Sequence, residues 1–99
     1  MPRNRDDILK ILEANREEIR GYGVQRIGLF GSCARGESTA TSDLDFVVDF
    51  EKKSFDAYMG LKEFLEDLFG CRVDLVISDA IKPRLRRTIL EEAVHVPGL

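Results

Sequence analysis

The sequence predicts an α+β domain: a small mixed β-sheet covered by helices on one face. Two observations carry that prediction. Segments with apolar residues at helical spacing alternate with segments of period-two alternation, in the order helix, strand, short helix, strand, helix, strand, helix. Within the second strand-like run, Leu44, Phe46, Val48 and Phe50 fall on one face and Asp43, Asp45, Val47 and Asp49 on the other, and a face that apolar must pack on helices. The 99 residues fit one domain spanning 1–99, with no repeat, linker or low-complexity stretch and no room for a separate substrate-binding domain.

The elements follow in order. Asn4, with acids at Asp6 and Asp7, marks a capped helix start, and Ile8, Ile11, Leu12 and Ile19 supply an apolar stripe that ends where Gly21, Tyr22 and Gly23 break the helix. Val24 to Phe30 reads as a short buried strand running directly into Gly31 and Ser32. A short helix is expected over Cys33 to Gly36, and the small polar residues from Glu37 to Ser42 read as a loop. After the strand Asp43 to Phe50, Ser54 is the expected N-cap of a helix running to about Phe69, with Gly70 as its stop and its aromatics and Met59 assigned to the core. Val73 to Ile77 forms a third strand in which Asp74 opposes the apolar side. Pro83 suits the first turn of a last helix with Leu85, Ile89 and Ala93 spaced by four, and Val94 to Val96 is expected to add a short edge strand before Pro97 and Gly98.

Hydrophobic residues make up 43% and charged residues 33% of the chain, a balance that folds rather than remaining disordered. No apolar run approaches the roughly 20 residues a bilayer span requires, and the charged N-terminus lacks a signal-peptide core, so no membrane role and a cytoplasmic location are expected. Cys33 and Cys71 lack metal-binding spacing and are read as free thiols. A net charge of -3 gives no global attraction to nucleic acid, which is therefore not the expected partner. The one dense basic stretch, Lys82, Arg84, Arg86 and Arg87, is either a solvated helix face or a docking surface for an acidic partner or phosphate.

The residues that suggest chemistry are Gly31, Ser32, Asp43, Asp45 and Asp74. A glycine lets backbone approach a phosphate, and Ser32 adds a hydroxyl donor, although a Gly-Ser turn after a strand is more often purely structural and no P-loop lysine follows. Strand alternation puts the carboxylates of Asp43 and Asp45 on one face, where two neighbouring acids call for a cation. Asp49 shares that parity but lies about 13 Å further along, at about 3.3 Å per residue, too far to share a metal. Asp74, set among apolar neighbours, should be costly to bury without a cation or hydrogen bonds. If its strand lies beside Asp43 to Phe50, the three acids converge and could hold magnesium against a nucleoside triphosphate.

In the stretches Leu29 to Glu37 (LFGSCARGE), Ser42 to Phe46 (SDLDF) and Val73 to Val76 (VDLV), the chain resembles the DNA polymerase beta-type nucleotidyltransferases, specifically the minimal nucleotidyltransferase (MNT) group. The likeness covers nearly the whole chain. It implies the polymerase beta-type nucleotidyltransferase fold, with Asp43 and Asp45 as paired ligands of two Mg2+ ions and Asp74 ligating one of them while helping to deprotonate an acceptor hydroxyl. Gly31 and Ser32 would cradle the triphosphate; Arg35 either touches phosphate or pairs with an acid to order the loop. Larger members add a C-terminal domain, whereas minimal members pair with HEPN-domain proteins. In such pairs the MNT protein is similar to an antitoxin that moves AMP, with ATP as the expected donor, onto a tyrosine of the HEPN ribonuclease toxin.

Two other readings remain at this stage. The chain could be an inert module that neutralises a partner by occlusion, or an enzyme acting on a small molecule or RNA end with its acceptor site completed by another subunit, as an oligomer or hetero-complex. His95, the only histidine, is expected at a surface or edge position. No Ser/His/Asp or Cys/His arrangement is readable.

Overall fold

Helix starts and stops follow the capping chemistry of the sequence. In the computed structural model, which describes residues 4–34, 36, 43–52 and 54–96 (for 32 and 33, the backbone only), the Asn4 side chain accepts a hydrogen bond from the Asp7 amide at 2.8 Å and opens α1 (Arg5–Ala14). The single N-terminal helix expected from the apolar stripe is instead two, with α2 covering Arg16–Gly21. Asn15 divides them: its side-chain Nδ2 donates to the Ile11 carbonyl at 2.8 Å, the local competition with helix geometry to which Asn is prone. Ile8, Leu12 and Ile19 are nevertheless all fully buried, so the stripe is right although the helix is broken.

Strand β1 (Val24–Phe30) leads into the short helix α3 (Gly31–Ala34), which begins two residues earlier than expected. Strand β2 (Leu44–Phe50) begins just after Asp43, and α4 (Phe55–Phe69) is closed at both ends as predicted. Ser54 Oγ accepts from the Ala57 amide at 3.0 Å, and Gly70 adopts the left-handed cap. Strand β3 (Val73–Ile77) is followed by a 3-10 turn over Ser78–Ala80 that periodicity does not reveal, then by α5 (Pro83–Glu92) and β4 (Val94–His95). The expected loop from Glu37 to Ser42 and the Pro97-Gly98 ending lie outside the described residues.

The four strands form one mixed sheet in the order β3-β2-β1-β4. β1 pairs antiparallel with both β2 and β4, while β2 and β3 run parallel, joined by α4 as crossover. One face of the sheet, carrying Ile27, Leu29, Phe46, Val48, Val73 and Leu75, is buried together with Ile8, Leu12 and Ile19 of the first two helices and Leu61, Leu65 and Phe69 of α4. Each large side chain so buried contributes roughly 1.5–3 kcal/mol of transfer free energy, so this face holds the fold together. Phe55 and Met59 of α4, both expected in the core, lie outside the core cluster, Met59 half-buried. Phe55, in the first turn of α4, is 75% exposed, and Leu85 in α5 is 50% exposed. Periodicity reports a helix's apolar stripe but not how far its neighbours extend to cover it.

Candidate active site

The face opposite the core carries the acids. Antiparallel and parallel register align Phe30 with Asp45 and Asp45 with Asp74, so the two carboxylate residues are neighbours across adjacent strands, about 4.8 Å apart in the pairing direction. Asp43 lies one residue ahead of β2, exposed, next to Leu44, whose amide donates to the Arg72 carbonyl at 3.1 Å and fixes the start of the parallel pairing.

Gly31 completes the arrangement from β1. Its φ of +78° lies in the left-handed region, and a Cβ placed there would overlap the Asp45 carboxylate. Glycine is thus required twice at this turn, for its backbone angle and for the close approach of Asp45. The sequence motivates Gly31 only as a phosphate-binding turn; its contact with Asp45 depends on β1 and β2 pairing and has no local signature. The backbone of Ser32 lies within α3, and Arg35 lies outside the described residues.

One expectation needs correction. The apolar neighbours of Asp74 suggest a buried carboxylate, yet Asp74 is exposed, because Val73 and Leu75 turn to the core and the face between them is open. Its place in the site rests on register rather than on desolvation. Among the described residues no three His, Cys, Asp or Glu side chains are gathered closely enough to hold a metal ion by themselves. Like charges brought together without a cation repel, and magnesium takes only one or two carboxylates along with substrate phosphates, so the hard oxygen donors of Asp45 and Asp74, with Asp43 beside them, still fit that ion.

Asp49 stays apart from these acids, as its distance along the strand predicts. Its carboxylate accepts a short hydrogen bond from Ser78 Oγ, which locks the far end of β2 to the 3-10 turn. His95 pairs in register with Gly28 on the edge strand, and its imidazole lies against Gly28, where a Cβ would be 3.1 Å from Nε2. Partial burial holds the His95 pKa below 6.5, the nearby Arg26 guanidinium lowers it further, and Asp49 opposes both.

Comparison with known proteins agrees with this geometry. Residues 8–96 match the nucleotidyltransferase domain family. The protein adenylyltransferase MntA of Thermococcus cleftensis is 44% identical over 93 residues, covering 92% of this chain and 94% of that protein. A chain solved as a candidate minimal nucleotidyltransferase superposes with a TM-score of 0.73 at 42% identity, over 87% of this chain and 93% of its own. A chain of a toxin-antitoxin structure with AMP-PNP superposes at 0.70 and 27% identity, over 97% of this chain and 74% of its own. With its glycine turn seated on one acid and that acid paired in register with a second, this chain belongs to the nucleotidyltransferase domain family and has the minimal nucleotidyltransferase fold.

Proposed function

We propose that this nucleotidyltransferase is a magnesium-dependent protein adenylyltransferase that moves AMP from ATP to a tyrosine hydroxyl of a HEPN-type toxin and thereby acts as its antitoxin. The observation that carries this reading is the register pairing of Asp45 with Asp74 beneath Gly31. It is supported by the name of the Thermococcus relative and by the toxin-antitoxin structure with AMP-PNP, whose nucleotide is an ATP analogue.

The chain's own groups divide the work as follows. Gly31 and Ser32, at the start of α3, offer backbone amides to the triphosphate, with Arg35 as a further phosphate contact. Asp43, Asp45 and Asp74 are the residues that would hold the metal ions. Magnesium bound there would screen the triphosphate and stabilise the departing pyrophosphate. Asp74, exposed at the start of β3, accepts the proton of the acceptor hydroxyl as that oxygen attacks the α-phosphorus. The open face leaves space for a protein acceptor to reach this point.

The test is transfer itself. With magnesium, α-labelled ATP and the cognate HEPN-type toxin, the label should appear on a toxin tyrosine. Asp45→Asn and Asp43→Asn should each reduce labelling by about a hundredfold or more while the variants stay folded and still bind the toxin. A toxin neutralised equally well by these variants, without label, would show that occlusion and not chemistry is the function.

A further inference from the structure

We propose that Tyr58 and Glu66 of α4 are positioning residues for the reaction: they hold β3 on either side of Asp74 and so fix where its carboxylate stands in the site. The inference rests on the reading above that Asp74 receives the proton of the acceptor hydroxyl. It starts from the place of that acid in the sheet. β3 is five residues long, lies at the end of the order β3-β2-β1-β4, and among the described residues pairs with β2 alone. The Leu44 amide donates to the Arg72 carbonyl, so backbone alternation directs Arg72, Asp74 and Val76 toward β2, and Val73 and Leu75 away from it. An edge strand leaves such outward groups without strand partners.

Two side chains of α4 reach those outward groups, one on each side of Asp74. The Val73 amide donates to Glu66 Oε2 at 3.1 Å, and Tyr58 Oη donates to the Leu75 carbonyl at 2.6 Å. Tyr58, Lys62 and Glu66 recur at every fourth residue, so α4 presents all three along one side. Lys62 Nζ stands 3.7 Å from the same Glu66 oxygen and balances its charge. The acid of the site is thus bracketed by two directed bonds from one helix.

Packing already joins these elements. Val73 and Leu75, 0% and 5% exposed, lie in the core with Leu61, Leu65 and Phe69. Apolar contact is non-directional and does not by itself fix the strand's position along the helix, whereas hydrogen bonds of defined distance and angle do. A carboxylate that must meet both a metal ion and an attacking oxygen is sensitive on that scale, since a displacement of about 1 Å can cost about a hundredfold in rate. Both bonds end on backbone at the outer edge of β3, and α4 packs on the core face while Asp74 is exposed on the other. Tyr58 and Glu66 therefore act through the strand and not by touching the reacting atoms.

The experiment uses the full chain with magnesium, α-labelled ATP and the cognate HEPN-type toxin, below the melting temperature of every variant. Tyr58→Phe and Glu66→Met should each lower kcat for AMP transfer by about tenfold and leave the KM for ATP within about twofold, because the triphosphate turn follows β1 and not β3. Glu66→Gln, which keeps a carbonyl oxygen for the Val73 amide, should stay within about threefold of the parent. Asp74→Asn should lower transfer on its own, and Tyr58→Phe added to it should change the remaining transfer by less than about twofold, although the double variant melts lower. Tyr58→Phe and Glu66→Met chains that melt lower but keep the parental kcat would overturn the inference, because the bonds would then only stabilise. So would the full Tyr58→Phe loss repeated in the Asp74→Asn background, or Glu66→Gln transferring no better than Glu66→Met. A parent chain that transfers no AMP would instead remove the enzymatic reading, and the inference with it.

Discussion

Gly31 is where one residue has most to lose. Its φ of +78° and its contact with the Asp45 carboxylate mean that Gly31→Ala both strains the backbone and displaces the Asp45 side chain. The expected cost is about 1–3 kcal/mol of stability in urea unfolding, with nearly complete loss of nucleotidyl transfer. Gly36→Ala is the control: φ there is +76°, but a Cβ meets nothing within 4 Å, so a similar stability cost should come with a much smaller loss of transfer. Equal activity losses would mean that backbone strain, not the approach of Asp45, explains the first variant. The Asp43-Leu44-Asp45 pattern was legible because alternation along a strand is a local property. The exposure of Asp74 was not, and its pairing with Asp45 could be stated only on the condition that the two strands adjoin, because both depend on how a distant strand returns to the sheet.

Among the elements, α4 does most to set that return. It is capped by Ser54 and Gly70, and it reaches across to β3 with side chains: Tyr58 Oη donates to the Leu75 carbonyl at 2.6 Å, and the Val73 amide donates to Glu66 Oε2 at 3.1 Å. Ser54→Ala removes the N-cap acceptor and should cost about 1 kcal/mol. For a domain this small that lowers the melting temperature by about 4–8 °C, measurable by circular dichroism. A variant that melts with the parent would show the cap to be replaced by water. Caps, apolar stripes and strand parity located α4, β1, β2 and β3 to within a residue, because each is written in near neighbours. The break at Asn15 and the 3-10 turn at Ser78–Ala80 escaped, the first decided by one side-chain bond to Ile11 and the second by the bond from Ser78 to Asp49 across the sheet.

For the whole molecule, His95 links folding to pH. Its folded pKa lies below the unfolded value of 6.5, so between these two values the unfolded chain binds more protons. Stability should therefore be fully present above pH 6.5 and decline as pH falls through the window beneath it. His95→Gln should flatten that part of a pH series of urea midpoints; an unchanged slope would assign the dependence to the carboxylates. The fold class was legible because the order of elements and the one-sided parity of β2 leave few arrangements, whereas the extent to which α5 is covered is a property of the assembled chain. The two bonds from α4 to β3 have a further result. They occupy the Val73 amide and the Leu75 carbonyl, backbone groups that an incoming extended peptide would otherwise use to join the sheet beside Asp74. Strand addition is thereby discouraged at that margin of the sheet.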